Sequence, residues 1–171
     1  MTSPQNPIVS VITVVRNDVD GIEHTIRSVI AQRYRPIEHV VVNGDSTDGT
    51  REVIQSFSSK IASWTSEPDR GIAHALNKGS RIATGDLMLF LNAGDSFVDD
   101  RALERAVALV PADLNVRSAI FYGDACYRHA SGTSILHADH ETLDEGNTIC
   151  HQSVLIRADV QRANPYDERL S

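Results

Sequence analysis

A strand-helix-strand-helix-strand alternation within about 60 residues constrains this chain more than any other feature. Ile8 to Val15 is a short β-branched run that suits a strand buried on both faces, and the polar cluster Arg16-Asn17-Asp18 stops it. Ile22, Ile26, Val29 and Ile30 then recur at helical spacing, with Pro36 just beyond the end of the pattern. A second strand is expected at Glu38 to Val42, and the turn-rich loop Asn43 to Thr50 follows it. A second helix, with Val53, Ile54 and Phe57 facing inward, leads to a strand at Ile61 to Thr65. Such alternation implies right-handed crossovers and a mainly parallel sheet, so the fold class is α/β.

The pattern continues with a helix from about Ile72 to Ala83 and the apolar strand Leu87 to Leu91, which ends at Asn92-Ala93-Gly94-Asp95. Ligands of open α/β sheets bind beyond the carboxyl ends of the strands. Arg16-Asn17, the Asn43 loop and the Asn92 tetrapeptide therefore share one edge. A helix at Arg101 to Val110 and strands near Ala119 to Tyr122 and Ser153 to Arg157 complete the reading. The 171 residues are read as one domain without an internal linker, residues 1–97 carrying the regular alternation and 98–171 a part in which it weakens.

Charge and composition exclude several classes. Sixteen Lys and Arg against 23 Asp and Glu give 16 − 23 = −7, which disfavours a polyanion such as nucleic acid as partner. Two cysteines without CxxC spacing, Cys126 and Cys150, speak against a disulfide framework or zinc site. No apolar run approaches the roughly 20 residues that cross a bilayer, so a cytoplasmic protein is expected.

The turn after the first strand reads Arg16-Asn17-Asp18-Val19-Asp20-Gly21, neither G-x-G-x-x-G nor Walker A. An acidic chain lacking both cradles needs a divalent cation to hold a diphosphate. Asp95 supplies a hard carboxylate at the tip of a buried strand and Asn92 an amide oxygen, a pair that suits Mg²⁺ or Mn²⁺. By spacing alone, the same tetrapeptide also reads as a turn capping the next helix.

Two longer segments carry a resemblance. Val40 to Thr50 reads VVVNGDSTDGT and Glu67 to Gly79 reads EPDRGIAHALNKG, while Leu91 to Asp95 reads LNAGD. From Ile8 to about Phe97 the chain resembles glycosyltransferase family 2, in particular a branch of bacterial polysaccharide-synthesis transferases. The resemblance implies a GT-A fold, a nucleotide-sugar donor and an acceptor that is a saccharide or lipid-linked saccharide. It places Val14, Arg16 and Asn17 beside the nucleoside and Asn43 at the base edge. Asp69 and Arg70 would contact the nucleoside or donor sugar, with Lys78 a weaker candidate, and Asn92 and Asp95 would border the metal.

Departures from the family pattern matter. Asn43 stands where an aspartate is usual; an amide both accepts and donates, so a base other than uracil becomes compatible. Asn92 and Gly94 leave Asp95 as the one strong carboxylate of its motif, and His74 replaces a common aspartate and reads as a partly buried histidine. Ignoring the resemblance, Asn43 reads as a turn residue, the Asp69-Arg70 pair as a solvated helix start and Lys78 as a surface cation. Downstream, Tyr122-Gly123-Asp124 and Cys150-His151-Gln152-Ser153 resemble segments of the branch, which puts His151 and Gln152 on the acceptor side.

Family members invert the anomeric centre with one carboxylate base, in an acidic motif several residues past a segment like Pro165 to Ser171. The sequence ends before that motif, so truncation is expected; Asp124, Asp167 and Glu168 are the substitutes within the chain. An inverting transferase is thus the first reading. The alternative is a nucleotide-sugar-binding module without turnover. A nucleotidyltransferase is disfavoured because residues 16–21 offer only one cation. Association with a membrane surface would fall to regions outside this sequence, and oligomeric state is left open.

Overall fold

The computed structural model of the chain describes residues 6–111, 120–139 and 149–170. Eight strands and five helices follow one another as β1 (Val9–Val15), α1 (Val19–Ala31), β2 (Ile37–Asn43), α2 (Thr50–Ser56), β3 (Ser63–Ser66), α3 (Ile72–Ile82), β4 (Leu87–Phe90), α4 (Ala102–Ala108), β5 (Ile120–Tyr122), β6 (Ala125–His129), β7 (Gly132–Leu136), β8 (Val154–Arg157) and α5 (Ala158–Ala163). Six strands form one sheet in the order β3-β2-β1-β4-β8-β5, and β6 pairs with β7 in a separate hairpin. β1 runs parallel to β2 and β4, and β2 parallel to β3. β8 is antiparallel to both β4 and β5.

Alternation along β1 explains the layers. Val9 and Val11 pack with Val29 of α1 and with Leu103 and Val107 of α4, whereas Ile12 and Val14 pack with Ala75 and Leu76 of α3 and Ala158 of α5. Val15 joins Ile22, Ile26 and Ile54 under α1 and α2. Period-two side chains thus bury β1 on both faces, and all seven of its residues are buried. α3 lies close enough to the sheet that a Cβ on Gly79 would come within 2.3 Å of Ile12 Cγ2.

The α/β reading and the mainly parallel sheet agree with the expectation from sequence. β3 begins two residues later than read and α4 is confined to Ala102–Ala108. The β6–β7 hairpin and α5 were not foreseen; the strand expected near Ala119 is β5, Ala119 itself lying outside the described residues. Asp18 caps α1 by accepting the Gly21 N–H at 2.9 Å. Strand order reverses between β2-β1 and β4, so the carboxyl ends of β1 and β4 border a switch-point crevice. No helix among the described residues is long and apolar enough to cross a membrane.

Candidate functional site

The loops after β1 and β2 are tied into one rim. Asn17 adopts φ 52° and Asp45 φ 57°, left-handed conformations that Asn and Asp tolerate better than most residues. Asn17 N–H donates to Ser46 Oγ at 2.8 Å, and Asn17 Oδ1 accepts from Thr47 N at 2.9 Å. Asn43, paired in register with Ser66 of β3, is completely buried. Its Oδ1 accepts from Ser46 N at 3.2 Å and from the Ser46 hydroxyl, while its Nδ2 donates to Ser66 Oγ at 2.9 Å. Val14 is a core residue whose carbonyl accepts from Ala93 N at 3.1 Å, which joins the rim to the end of β4.

Arg16 is exposed on this rim and makes no ion pair among the described residues. Its Cβ lies 3.5 Å from where a Gly44 Cβ would stand, and Asp69 Oδ2 lies 2.2 Å from the same point. Gly44 therefore lets the post-β3 loop close over the post-β2 loop. Asp69 Oδ1 accepts from Gly71 N at 3.0 Å, and Arg70 N–H donates to His74 Nδ1 at 3.1 Å. His74 is buried, and its ring serves the start of α3.

Arg70 extends outward to an ion pair with Glu168. Glu168 also accepts from Asn77 Nδ2 at 3.2 Å, and Asn77 exchanges hydrogen bonds with the Tyr166 backbone in both directions, each 2.9 Å. Those contacts hold the Glu168 carboxyl below its ordinary range, through the hydrogen bond from Asn77 first and Arg70 second. Lys78 does not reach the rim loops of β1 or β2. Its ammonium group binds Glu67 at 3.0 Å and the Pro68 carbonyl at 2.8 Å, bracing the loop that carries Asp69 and Arg70.

The end of β4 is held from two sides. Thr25 of α1 points its hydroxyl at the carbonyls of Asp95, 2.7 Å, and Asn92, 3.2 Å. From the other side, Gln152 Nε2 donates to Asp95 Oδ2 at 3.0 Å, and Gln152 Oε1 accepts from Cys150 Sγ at 2.7 Å. Asn92 Nδ2 lies 3.4 Å from His151 Nε2. Burial pushes the His151 pKa down, partly opposed by the charge of Asp95, so its neutral form is favoured. Asn92 Oδ1 is buried without a partner.

Asp95 Oδ1 has the hard oxygen character that a divalent cation wants, whereas Asn92 Oδ1 in the same turn is enclosed and would have to turn outward to reach an ion. No group of three or more His, Cys, Asp or Glu able to hold a metal occurs among the described residues. One carboxylate oxygen therefore fits a divalent cation only with further ligands from outside these residues.

Beside Asp95 opens a cavity of about 960 Å³, walled by Leu89, Leu91, Phe97, Leu103 and Phe121 and bordered by Asp124 and Gln152. Asp124 Oδ2 lies 2.9 Å from His137 Nδ1, and Asp124 Oδ1 accepts from Ala138 N at 3.0 Å. Asp167 is paired with Arg169 at 2.6 Å. Both carboxyls sit below their usual range because of those hydrogen bonds, that from Ala138 N foremost at Asp124 and that from Arg169 at Asp167.

Residues 10–151 match the family described as Glycosyl transferase family 2. The chain belongs to glycosyltransferase family 2. An uncharacterized glycosyltransferase of Mycobacterium tuberculosis is 44% identical over 102 residues, covering 59% of this chain and 39% of that protein. A PGL/p-HBAD biosynthesis glycosyltransferase of Mycobacterium bovis is 29% identical over 158 residues, covering 88% of this chain and 59% of its own length. The family 2 chain thus spans between 39% and 59% of these two relatives. Among solved structures, the mannosyltransferase PcManGT of Pyrobaculum calidifontis, in complex with GDP-Man and Mn²⁺, superposes with a TM-score of 0.70 at 22% identity, covering 96% of this chain and 49% of that one. The fold is GT-A.

Three contributors to this family 2 site escape a reading of the sequence. Ser66 and Thr25 are ordinary hydroxyls in a strand and a helix, and only register and packing bring them to the rim. Asn77 lies inside the quoted EPDRGIAHALNKG segment. Its partner, the Tyr166 backbone, is 89 residues away, beyond the range of any local pattern.

Proposed function

We propose that this chain carries the donor site of an inverting glycosyltransferase, which moves a sugar from a nucleoside-diphosphate donor to a hydroxyl of a saccharide or lipid-linked saccharide in polysaccharide or glycolipid synthesis. The observation that carries the reading is Asp95, a carboxylate with one oxygen engaged by Gln152, placed at the strand-order reversal beside the orphaned Asn92 oxygen. PcManGT, which shares the fold, is bound to GDP-Man and Mn²⁺. Asp95 would hold Mg²⁺ or Mn²⁺, and Asn92 would join it by turning its enclosed Oδ1 outward. The metal, when bound, offsets charge growing on the departing nucleoside diphosphate.

The chain's own residues do the positioning. Thr25 and Gln152 fix Asp95 from opposite sides, so the carboxylate need not reorganise as charge develops. Arg16 and Arg70 supply cations at the rim, and the Asn17-Ser46-Asn43 network keeps the nucleoside loop in one conformation. His151, held neutral, and Gln152 border the acceptor side. Asp124, Asp167 and Glu168 are each committed to a cation or a hydrogen bond, so the base that deprotonates the acceptor is a different carboxylate. A cytoplasmic setting, with any membrane contact made elsewhere in the protein, suits such a donor.

The same three commitments favour a second reading, a nucleotide-sugar-binding module without turnover. Calorimetry of UDP and GDP with and without Mn²⁺ tests the shared donor site; both readings predict metal-enhanced binding of a nucleoside diphosphate, and no binding by any would sink them. A transfer assay with released nucleotide as readout then separates the two.

A further inference from the structure

Asn43 cannot touch a nucleobase directly, since none of it is exposed. Its amide orientation is nevertheless fixed: the atom facing the Ser46 backbone N–H must be the oxygen, because a peptide N–H only donates. The nitrogen therefore faces Ser66, and Ser66 Oγ must accept from it. Ser66 is half-buried, at the carboxyl end of β3, and its own hydroxyl proton meets no acceptor among the described residues.

Resting on the donor-site reading above, we infer that Asn43 and Ser66 form a polarity relay that makes the Ser66 hydroxyl a hydrogen-bond donor to the nucleobase edge. An aspartate at position 43 would keep both bonds from Ser46 and turn its second oxygen to Ser66. That oxygen only accepts, so the hydroxyl proton would point inward and Ser66 would offer lone pairs to the ligand. One buried atom thus decides whether Ser66 can donate to the base at all: beside Asn43 it keeps a free proton and one lone pair, beside an aspartate only lone pairs. The ligand class is a nucleoside diphosphate whose base places a carbonyl oxygen or unprotonated ring nitrogen against Ser66.

Uracil and cytosine present opposite polarities at both ring position 3 and position 4, and guanine and adenine do so at positions 1 and 6. Whichever atom meets Ser66, exchanging one base for the other inverts the requirement. Binding of UDP, CDP, GDP and ADP in Mn²⁺ to wild type, N43D, S66A and N43D/S66A is the test. The preferred base of each pair should lose about tenfold in affinity in S66A, the other changing less than twofold. N43D should move the UDP:CDP or GDP:ADP ratio about tenfold toward the base the wild type disfavours, and the double variant should match S66A.

Ratios that stay within twofold in S66A overturn the relay even if N43D fails to fold. A shift in N43D that persists without the Ser66 hydroxyl overturns it too. Absence of binding by all four diphosphates defeats the donor-site reading itself, an outcome distinct from unchanged ratios.

Discussion

Gln152 Nε2 donates to Asp95 Oδ2 at 3.0 Å, so one oxygen of the central carboxylate is fixed by a residue 57 positions away. Replacing Gln152 by Leu removes that donor while leaving Thr25 on the Asp95 carbonyl. Mn²⁺-dependent nucleotide binding should weaken by about 1.5–3 kcal/mol, the cost typical of a lost hydrogen bond to a charged group. Asp95→Asn should abolish the metal enhancement itself. Calorimetry with and without Mn²⁺ checks both, and an unchanged response in D95N would remove the cation from that turn.

Gly79 sits in the middle of α3, where alanine ordinarily improves a helix by roughly 0.5–1 kcal/mol. Here the added methyl would lie 2.3 Å from Ile12 Cγ2, inside the packed layer between α3 and β1. Overpacking of this kind costs about 1–3 kcal/mol, so Gly79→Ala should destabilise the fold by roughly 1–2 kcal/mol. Urea unfolding measures it; a stabilised variant would show that α3 can lift off the sheet freely.

His39 is buried in β2 with Thr13 Oγ1 3.0 Å from its Nε2, and burial lowers its pKa to about 4. The unfolded chain binds this proton near pH 6.5 and the native chain only near 4, so stability is full above 6.5 and falls as pH drops toward 4. Between pH 6.5 and 5 the loss should be about 2 kcal/mol. His39→Gln should flatten this part of the stability-pH curve, as followed by urea unfolding at each pH.

Asn77→Ala breaks the two bonds to Tyr166 and the one to Glu168 together. The segment around residues 165–170 should then open, and trypsin should cut after Arg169 markedly faster than in the native chain. Stability should drop by about 2–3 kcal/mol, because Asn77 is buried and its amide would leave backbone groups unpaired. Glu168→Gln, which keeps the Asn77 contact and loses the charge that pairs with the exposed Arg70, should cost less, about 1 kcal/mol.

The first 97 residues were readable because their signals are local: β-branched runs, helical apolar spacing and polar turns at the strand ends. β6 and β7 gave no such signal. Cys126 to His129 and Gly132 to Ile135 are exposed, so no alternation marks a buried face. α5 spans six residues, too few for helical periodicity to repeat. Asp95 was legible as a carboxylate at a strand tip, and Asn43 and Gln152 through the resemblance to family 2, but their hydrogen bonds depend on register and on chain reversals that no spacing encodes. That Asn43 is wholly enclosed, with Ser66 standing between it and any ligand, belongs to tertiary structure.

The lone reversed strand has a consequence for assembly. Leu87 of β4 meets Arg157 of β8 across 157 − 87 = 70 residues, a span comparable with the 87 − 9 = 78 residues between Leu87 and its other partner, Val9 of β1. Closure entropy therefore does not rank the two pairings, but synthesis from the N-terminus does, since β8 can pair only after β1 to β4 have all emerged. Residues 151–153 lead directly into β8, and His151 and Gln152 reach Asn92 and Asp95 only at that stage. During synthesis, then, the emerging polypeptide can form the rim of the β1 and β2 loops first, and Asp95 gains its side-chain partner only afterwards.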